Sequence, residues 1–267
     1  MPDLLTLRGF VIDMDGVLWR GETALPGVAE FFSLLQARRL PFVVATNNAT
    51  ATPGAVCRRL ARVGAHIAPE AVFTSAQAAA SILARQFPPG TRVLAVGERG
   101  LRSALRHAGL RLTRRASDAQ AVVVGLDRRV SWNVLSEATL AIHAGAAFVA
   151  TNADPTFPTE RGLLPGAGAL VASIQTATGV LPAVVGKPEP HLFLEALQHL
   201  NTAPEETLVV GDRPETDILG GQRAGMRTAL MLTGVTRSDA VDRLRIRPDW
   251  VFDDLPHLTR ALRGNTA

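Results

Sequence analysis

The sequence has little cysteine, little lysine and no long apolar run, and the first and last of these shortages each exclude a class of protein. Its one cysteine, Cys57, rules out an internal disulfide and fits a reducing cytoplasm. Apolar runs such as residues 121–126 are far too short to cross a bilayer, and the residues after Met1 lack the basic start and apolar stretch of a signal peptide. We therefore expect a cytoplasmic protein with no membrane partner.

The basic residues are numerous but are not clustered. The formal net charge is +4, yet the arginines stand singly or in pairs, whereas a nucleic-acid-binding arm would concentrate them. No nucleic-acid partner is expected. Of the 28 lysines and arginines only Lys187 is a lysine, as in a chain with a GC-rich coding background. Such a lysine is either accidental or sits where a planar guanidinium cannot serve.

Short apolar runs alternate with amphipathic stretches along most of the chain. Near-continuous apolar strands separated by helices predict a parallel sheet covered on both faces. The fold class we expect is α/β, with a doubly wound parallel-sheet Rossmannoid core and an inserted smaller α/β cap domain. The core strands are predicted at residues 9–13, 41–47, 182–186, 207–212 and 227–234.

The domain boundaries follow from the same alternation. Residues 1–76 and 182–267 are predicted to form the catalytic core, and residues 77–181 the inserted cap, which has apolar runs of its own. Residues 153–169, near the end of the cap, are rich in proline and glycine. They predict an ordered loop and not a strand.

Polar side chains follow the predicted core strands where each strand ends. In an open parallel sheet, ligands bind beyond the carboxyl ends of the strands, so these side chains are expected to meet. The first strand delivers Asp13 and Asp15, followed by Gly16 for a sharp turn. The others deliver the remaining members of the set: Thr46, Asn47, Asn48, Lys187, Asp212 and Asp217.

This set of side chains suits phosphoryl transfer. Clustered carboxylates bind Mg²⁺, which also takes a substrate phosphate oxygen. With the cation present, Asp13 can stay ionised and act as nucleophile, while Asp15 holds the proton that the leaving group needs and later activates water. Thr46 and Lys187 can hold the phosphate, whose transition-state charge spreads over three oxygens. An EF-hand calcium loop is disfavoured because a strand, not a helix, precedes Asp13.

Four segments, DMDGVLW (13–19), ATNN (45–48), GKP (186–188) and GDRPETDI (211–218), resemble the motifs of haloacid dehalogenase superfamily phosphatases. Their order and spacing are similar to the NagD-like branch with phosphoglycolate and p-nitrophenyl phosphatases, which carries a large α/β cap. The resemblance extends through VGLD (124–127), residues 151–170 and LTGVTRSD (232–239), and so covers nearly the whole chain.

The resemblance implies a role for each matching residue. Asp13 would be the nucleophile and Asp15 the acid and base. The Asp13 carboxylate, the Asp15 carbonyl and the Asp212 carboxylate would bind Mg²⁺, with Asp217 supporting them. The phosphate would be held by Thr46, Asn47 and Lys187. Asn48 is a further candidate for binding substrate, with a purely structural role in the turn as the alternative. Asn152 and Asp154 lie in the cap segment that overhangs the leaving group in relatives, and pairing through the cap would give a homodimer.

Several functions stay open at this point. The leading interpretation is hydrolysis of small organic phosphate monoesters such as phosphoglycolate or sugar phosphates. Nucleoside 5′-monophosphates are alternative substrates for the same mechanism. A phospho-accepting signalling receiver also uses an acidic cluster with threonine and lysine, but it is about half this length and does not need Asp15 or a cap. An inactive ligand-binding scaffold is disfavoured by the intact acidic residues.

Overall fold

The computed structural model describes residues 4–159 and 162–264. Within them, the strands are β1 Gly9–Ile12, β2 Trp19–Arg20, β3 Thr23–Ala24, β4 Phe42–Thr46, β5 Val72–Thr74, β6 Arg92–Val96, β7 Arg111–Thr113, β8 Ala121–Val124, β9 Ala147–Ala150, β10 Thr156–Thr159, β11 Gly162–Pro165, β12 Ala183–Val184, β13 Thr207–Gly211, β14 Arg227–Met231 and β15 Trp250–Phe252. The α-helices are α1 Val28–Ala37, α2 Pro53–Ala61, α3 Ser75–Gln86, α4 Arg99–His107, α5 Trp132–His143, α6 Ala167–Thr178, α7 His191–Leu200, α8 Leu219–Arg223 and α9 Leu255–Leu262.

The described residues form two compact units. The first unit contains residues 4–46, 54–73 and 187–264, and the second contains the described residues within 47–53 and 74–186. The residues predicted as the cap, 77–181, fall in the second unit, which also takes in a short segment directly after Thr46. The interpretation of the second unit as a cap stays a prediction.

The first unit is built on a six-stranded sheet with the order β15-β14-β13-β1-β4-β5. The pairs of β1 with β13 and β4, of β13 with β14, and of β14 with β15 are all parallel. Numbered within this sheet, the order is that of doubly wound folds, with the reversal of direction between β1 and β13. The predicted α/β fold with a parallel sheet is confirmed.

Burial explains why β1 occupies the centre of this sheet. All four of its residues are buried, which is typical of a parallel strand covered on both faces. Phe10 of β1 packs edge-to-face against Phe31 of α1. Further edge-to-face contacts join Phe31 to Phe32 and Phe32 to Phe42. The central position puts the end of β1 beside the ends of β4 and β13.

The second unit has a five-stranded parallel sheet of its own, with the order β12-β9-β8-β6-β7. Its core joins the strands to α5 and α6 through residues such as Val122, Ile142 and Ile174. Helix α3 begins with a capping box in which Thr74 accepts from the Gln77 backbone and the Gln77 side chain accepts from the Thr74 backbone.

Two predictions about this unit were wrong. Residues 153–169 contain the antiparallel pair β10–β11, although residues 160 and 161 lie outside the described part. Proline is tolerated there because both strands of a two-stranded ribbon are edges. The strand predicted at 182–186 is not a core strand, since β12 pairs with β9 of the second sheet. An apolar run in the sequence predicts a strand, but it does not identify the sheet in which that strand pairs.

Candidate active site

The turn after β1 presents Asp13 and Asp15. The Asp13 backbone N–H donates to Val210 O at 2.8 Å, which continues the pairing with β13 by one residue. The chain then bends at Gly16, whose φ of +93° favours glycine, and the Gly16 N–H donates to Trp19 O at 2.6 Å. Asp13 is 8% exposed and Asp15 is half-buried. Two carboxyl groups therefore leave the sheet in a sparsely solvated environment.

Lys187 lies among acceptors that use all three of its ammonium protons. Its Nζ contacts Asp13 Oδ1, donates to Asp217 Oδ1 at 2.6 Å and donates to Ala45 O at 3.2 Å. The side chain is only 4% exposed. Burial disfavours the charged ammonium, but the two carboxylates outweigh burial and raise the Lys187 pKa above its ordinary value. The only lysine of the chain is thus a permanent cation beside Asp13.

Asp212 follows β13, and a hydrogen bond holds one of its two carboxylate oxygens. The Val235 N–H donates to Asp212 Oδ2 at 2.7 Å, and the Thr236 hydroxyl donates to the Asp212 backbone carbonyl at 2.7 Å. Within the described part of the chain, Asp212 Oδ1 is buried and has no hydrogen-bond partner. A buried acceptor without a partner carries a desolvation cost, so this oxygen is suited to a ligand that the protein itself does not supply.

Asp217 lies in the π-helical turn Pro214–Ile218 that follows Asp212. Its Oδ1 accepts from Lys187, and its Oδ2 accepts from the Arg213 backbone N–H at 3.1 Å. One oxygen from each of Asp13, Asp212 and Asp217 lies within 4.8 Å of the others. Three buried carboxylates at this spacing are hard oxygen donors that could hold a divalent cation such as Mg²⁺.

The carboxyl groups resist ionisation in the absence of a cation. Burial, together with the charges of Asp217 and Asp212 and against the opposing charge of Lys187, raises the pKa of Asp13 well above its usual range. Burial and the Asp217 charge raise the pKa of Asp212 to about 7. Burial also raises the pKa of Asp15, against the positive charge of Arg59. A bound cation would favour the ionised form of its carboxylate ligands.

Thr46 ends β4 beside β1 and is 2% exposed. The carbonyl of its neighbour Ala45 accepts a hydrogen bond from Lys187, so the end of β4 lies at the same cluster. The structure thus brings Asp13, Lys187, Asp212 and Asp217 into one cluster, with Asp15 and Thr46 next to it in the chain. The roles implied for these side chains stay predictions.

The other four predicted residues belong to the second unit and bond within it. Asn152 Nδ2 donates to Asn47 O at 2.8 Å, and Asn47 Nδ2 donates to Asp154 Oδ2 at 3.2 Å. Asn48 Oδ1 accepts from the Thr50 backbone and hydroxyl, as in an Asx turn. These bonds show a structural use for each side chain. Their predicted contacts with substrate stay untested.

Sequence reasoning did not find two contributors to the site. One is the backbone N–H of Val235, in a segment that the sequence marked only through the resemblance. The other is Arg59 of α2, which donates to Gly21 O and lies 4.6 Å from the centroid of the Trp19 ring. The charge of Arg59 acts on Asp15, but no spacing rule links a helix residue to this turn.

Family models match most of the chain. The model described as haloacid dehalogenase-like hydrolase matches residues 10–111, and one described as HAD-hydrolase-like matches residues 184–258. D-glycerol 3-phosphate phosphatase of Mycobacterium tuberculosis is 45% identical over 251 residues, which are 93% of this chain and 70% of that protein. Acid sugar phosphatase of Staphylococcus aureus is 38% identical over 248 residues, 93% of this chain and 95% of that protein.

Solved structures of phosphatases are similar to the structure of this chain. The glycerol phosphate phosphatase Rv1692 from M. tuberculosis, in complex with magnesium, superposes with a TM-score of 0.88 at 42% identity, covering 95% of this chain and 76% of that one. The p-nitrophenyl phosphatase from Archaeoglobus fulgidus superposes with a TM-score of 0.90 at 33% identity, covering 98% of this chain and 100% of that one.

Proposed function

Since the chain belongs to the haloacid dehalogenase-like hydrolase family, we propose that it is a Mg²⁺-dependent phosphatase that hydrolyses small organic phosphate monoesters through an aspartyl-phosphate on Asp13. The observation that supports this most is the buried cluster of Asp13, Lys187, Asp212 and Asp217 at the carboxyl ends of β1 and β13. This edge of the sheet, where the strand order reverses, is where doubly wound folds bind ligands.

The residues fit a magnesium ion. Asp212 Oδ1 is an unused buried acceptor, and the donor set consists of hard oxygens. The Asp13 carboxylate, the Asp15 carbonyl and the Asp212 carboxylate would hold the cation, which when bound neutralises negative charge on the phosphoryl group. Both Asp217 oxygens already accept hydrogen bonds, which suits a supporting role.

The reaction is assigned to the chain's own side chains. An Asp13 oxygen attacks phosphorus, the bond from phosphorus to the ester oxygen breaks, and the departing oxygen takes the Asp15 proton. Asp15 then accepts a proton from the water that attacks the phosphoryl group on Asp13, which releases inorganic phosphate and restores both carboxyl groups. Burial keeps Asp15 protonated to a higher pH than an exposed aspartate, as the first step needs.

Lys187 and Thr46 are proposed to hold the phosphoryl oxygens. Lys187 is already fixed by Asp13 and Asp217, so its charge is placed before substrate arrives. A charge held in position costs no reorganisation when the transition state forms. Asn47 and Asn48 are proposed to add hydrogen bonds to the phosphate, and Asn152 and Asp154 to contact the leaving group.

The proposed substrates are small polyol and sugar phosphates. The relatives reported above are named for glycerol phosphate, acid sugars and p-nitrophenyl phosphate, which favours small esters over nucleoside 5′-monophosphates. A receiver module is disfavoured by the same relatives. In the residues that the structure describes, no helix is long and apolar enough to cross a membrane. A cytoplasmic location remains our proposal.

A phosphate-release panel tests the function. Glycerol phosphates, sugar phosphates, phosphoglycolate and a nucleoside 5′-monophosphate are compared with Mg²⁺ and with a chelator. We expect many turnovers on a small ester, loss of turnover with chelator and loss in Asp13→Asn. The matched control Asp253→Asn changes an exposed carboxylate and should retain activity. One phosphorylation per chain without turnover would favour a receiver, and full activity of Asp13→Asn would refute the mechanism.

We also propose that the second unit mediates a homodimer. The apolar residues Trp132, Leu163 and Leu181 of this unit are exposed, Trp132 by 79%. We propose that they contribute to one association surface, because such surfaces carry large exposed apolar side chains. Light scattering after size exclusion should give twice the monomer mass, and Trp132→Ser should shift it toward the monomer. A monomeric wild-type protein at micromolar concentration would refute the proposal.

A further inference from the structure

The turn Thr233–Thr236, which follows β14, contacts both the side chain and the backbone of Asp212. The Val235 N–H donates to Asp212 Oδ2, and the Thr236 hydroxyl donates to Asp212 O, both at 2.7 Å. Asp212 therefore receives bonds from this turn at its side chain and at its backbone. Both bonds fall on oxygens other than Oδ1, the atom that is buried without a partner in the described structure.

Gly234 allows the turn to approach the carboxylate closely. A Cβ added at Gly234 would lie 1.9 Å from Asp212 Oδ2, 2.4 Å from Cγ and 2.5 Å from Cβ. The φ of Gly234 is not positive, so its backbone conformation alone does not require glycine. Contact with Asp212 is therefore the reason that a larger residue does not fit.

Gly16 packs against the same carboxylate, with an added Cβ placed 2.3 Å from Asp212 Oδ2. The Thr233 hydroxyl donates to Gly16 O at 2.6 Å, and Arg20 donates to Thr233 O at 2.7 Å. The turn is thus joined to the loop after β1 that carries Asp13 and Asp15. The turn therefore contacts both the segment after β13 that carries Asp212 and the segment after β1 that carries Asp13.

We propose that the turn Thr233–Thr236 is a positioning element that orients the Asp212 carboxylate, committing Oδ2 to Val235 and leaving Oδ1 for a divalent cation. This inference rests on the proposed function, because it assigns Asp212 to the cation. None of the residues of the turn needs to contact the cation itself. Partners that orient metal ligands typically change metal affinity by about 10- to 100-fold when they are altered.

Magnesium affinity, measured by calorimetric titration of the full-length protein, tests this positioning role. We expect Gly234→Ala to weaken Mg²⁺ binding about 10- to 100-fold, because the added methyl group forces the carboxylate to move. The matched control is Gly54→Ala in α2, where the nearest atom to an added Cβ is Arg58 Nη1 at 3.6 Å. This control should bind Mg²⁺ as the wild type does.

A second pair of variants applies if Gly234→Ala does not fold. Thr236→Val removes the hydroxyl that donates to Asp212 O, and we expect it to weaken Mg²⁺ binding about 10-fold. Thr236→Ser should restore the affinity. The control Thr259→Val removes a buried hydroxyl that has no partner among the described residues, and should leave Mg²⁺ affinity unchanged. Circular dichroism is used to check that each variant is folded before its Mg²⁺ affinity is compared.

The outcomes separate this inference from the proposed function. Wild-type protein that binds no Mg²⁺ would overturn the proposed function. If the wild-type protein binds Mg²⁺ and each of the two variants that folds, Gly234→Ala or Thr236→Val, binds it equally well, the positioning role alone is overturned. Weakened binding in each variant that folds, with rescue in Thr236→Ser, would support it.

Discussion

Replacing Lys187 with methionine should destabilise the first unit strongly, and more so at high pH. Methionine keeps much of the length of the side chain but removes the cation that contacts Asp13 and Asp217. These two carboxylates are 10% and 2% exposed, so water cannot replace the lost partner. Removing one partner of a buried ion pair costs about 3–5 kcal/mol, which we expect for the free energy of unfolding at about pH 8.

The cost should shrink in acid because the stranded Asp13 carboxylate can bind a proton. Loss of Lys187 removes the charge that lowers the Asp13 pKa, so this pKa, which burial already raises in the wild type, rises further in the folded variant. A group with a raised folded pKa destabilises the protein increasingly as pH rises. Each pH unit of such uptake by one carboxyl group offsets about 1.4 kcal/mol. The difference from wild type should therefore be smaller at about pH 5 than at about pH 8.

Urea unfolding followed by tryptophan fluorescence, with a chelator present, measures this difference. Trp19 is buried in the first unit and Trp250 is half-buried there, whereas Trp132 of the second unit is already exposed. The control Arg223→Met breaks a surface pair with Glu189 and should cost less than about 1 kcal/mol. A Lys187→Met protein within about 1 kcal/mol of wild type at pH 8, or an effect independent of pH, would refute the reasoning.

Three further predictions concern protons and the second unit. Arg59→Gln removes a charge that lowers the Asp15 pKa, so the alkaline limb of the kcat/KM profile should move to higher pH; an unchanged or lower limb would contradict this. Mg²⁺ affinity should rise as pH increases toward about 7, because Asp212 must lose its proton, and a calorimetric Kd that is constant with pH would count against it. Ser75→Ala removes a 2.7 Å bond to Asn47 O and should lower the free energy of unfolding of the second unit by about 1–2 kcal/mol, as measured by hydrogen exchange; unaltered protection would exclude this.

The acidic cluster could be predicted because its carboxylate residues come directly after apolar runs that predict buried strands. Asp13 and Asp212 each end a buried strand, and parallel strands bring such ends to one edge. The predicted strand before Lys187 belongs to the other sheet, yet Lys187 still joins the cluster. Lys187 therefore lies beside Asp13 although the strand before it pairs with a strand of the second unit.

Other features could not be read from residue types. The partner of Asp212 Oδ2 is a backbone N–H of Val235, a group that every residue except proline offers. The β10–β11 pair was missed because proline and glycine usually mark loops, whereas a ribbon of two edge strands tolerates them. Asn152 was predicted to bind substrate, whereas its bond to Asn47 O joins residues 105 positions apart and follows from the fold and not from residue type.

Trapping the phosphoryl group on the enzyme tests the central claim most directly. With p-nitrophenyl phosphate the leaving group departs without a proton, so Asp15→Asn should still transfer phosphate but lack the base for its hydrolysis. After acid quench, peptide mass spectrometry should find one phosphoryl group on Asp13 and a burst of one p-nitrophenolate per chain. A phosphoryl group on another residue, or a folded, Mg²⁺-loaded variant that shows no burst, would contradict the account.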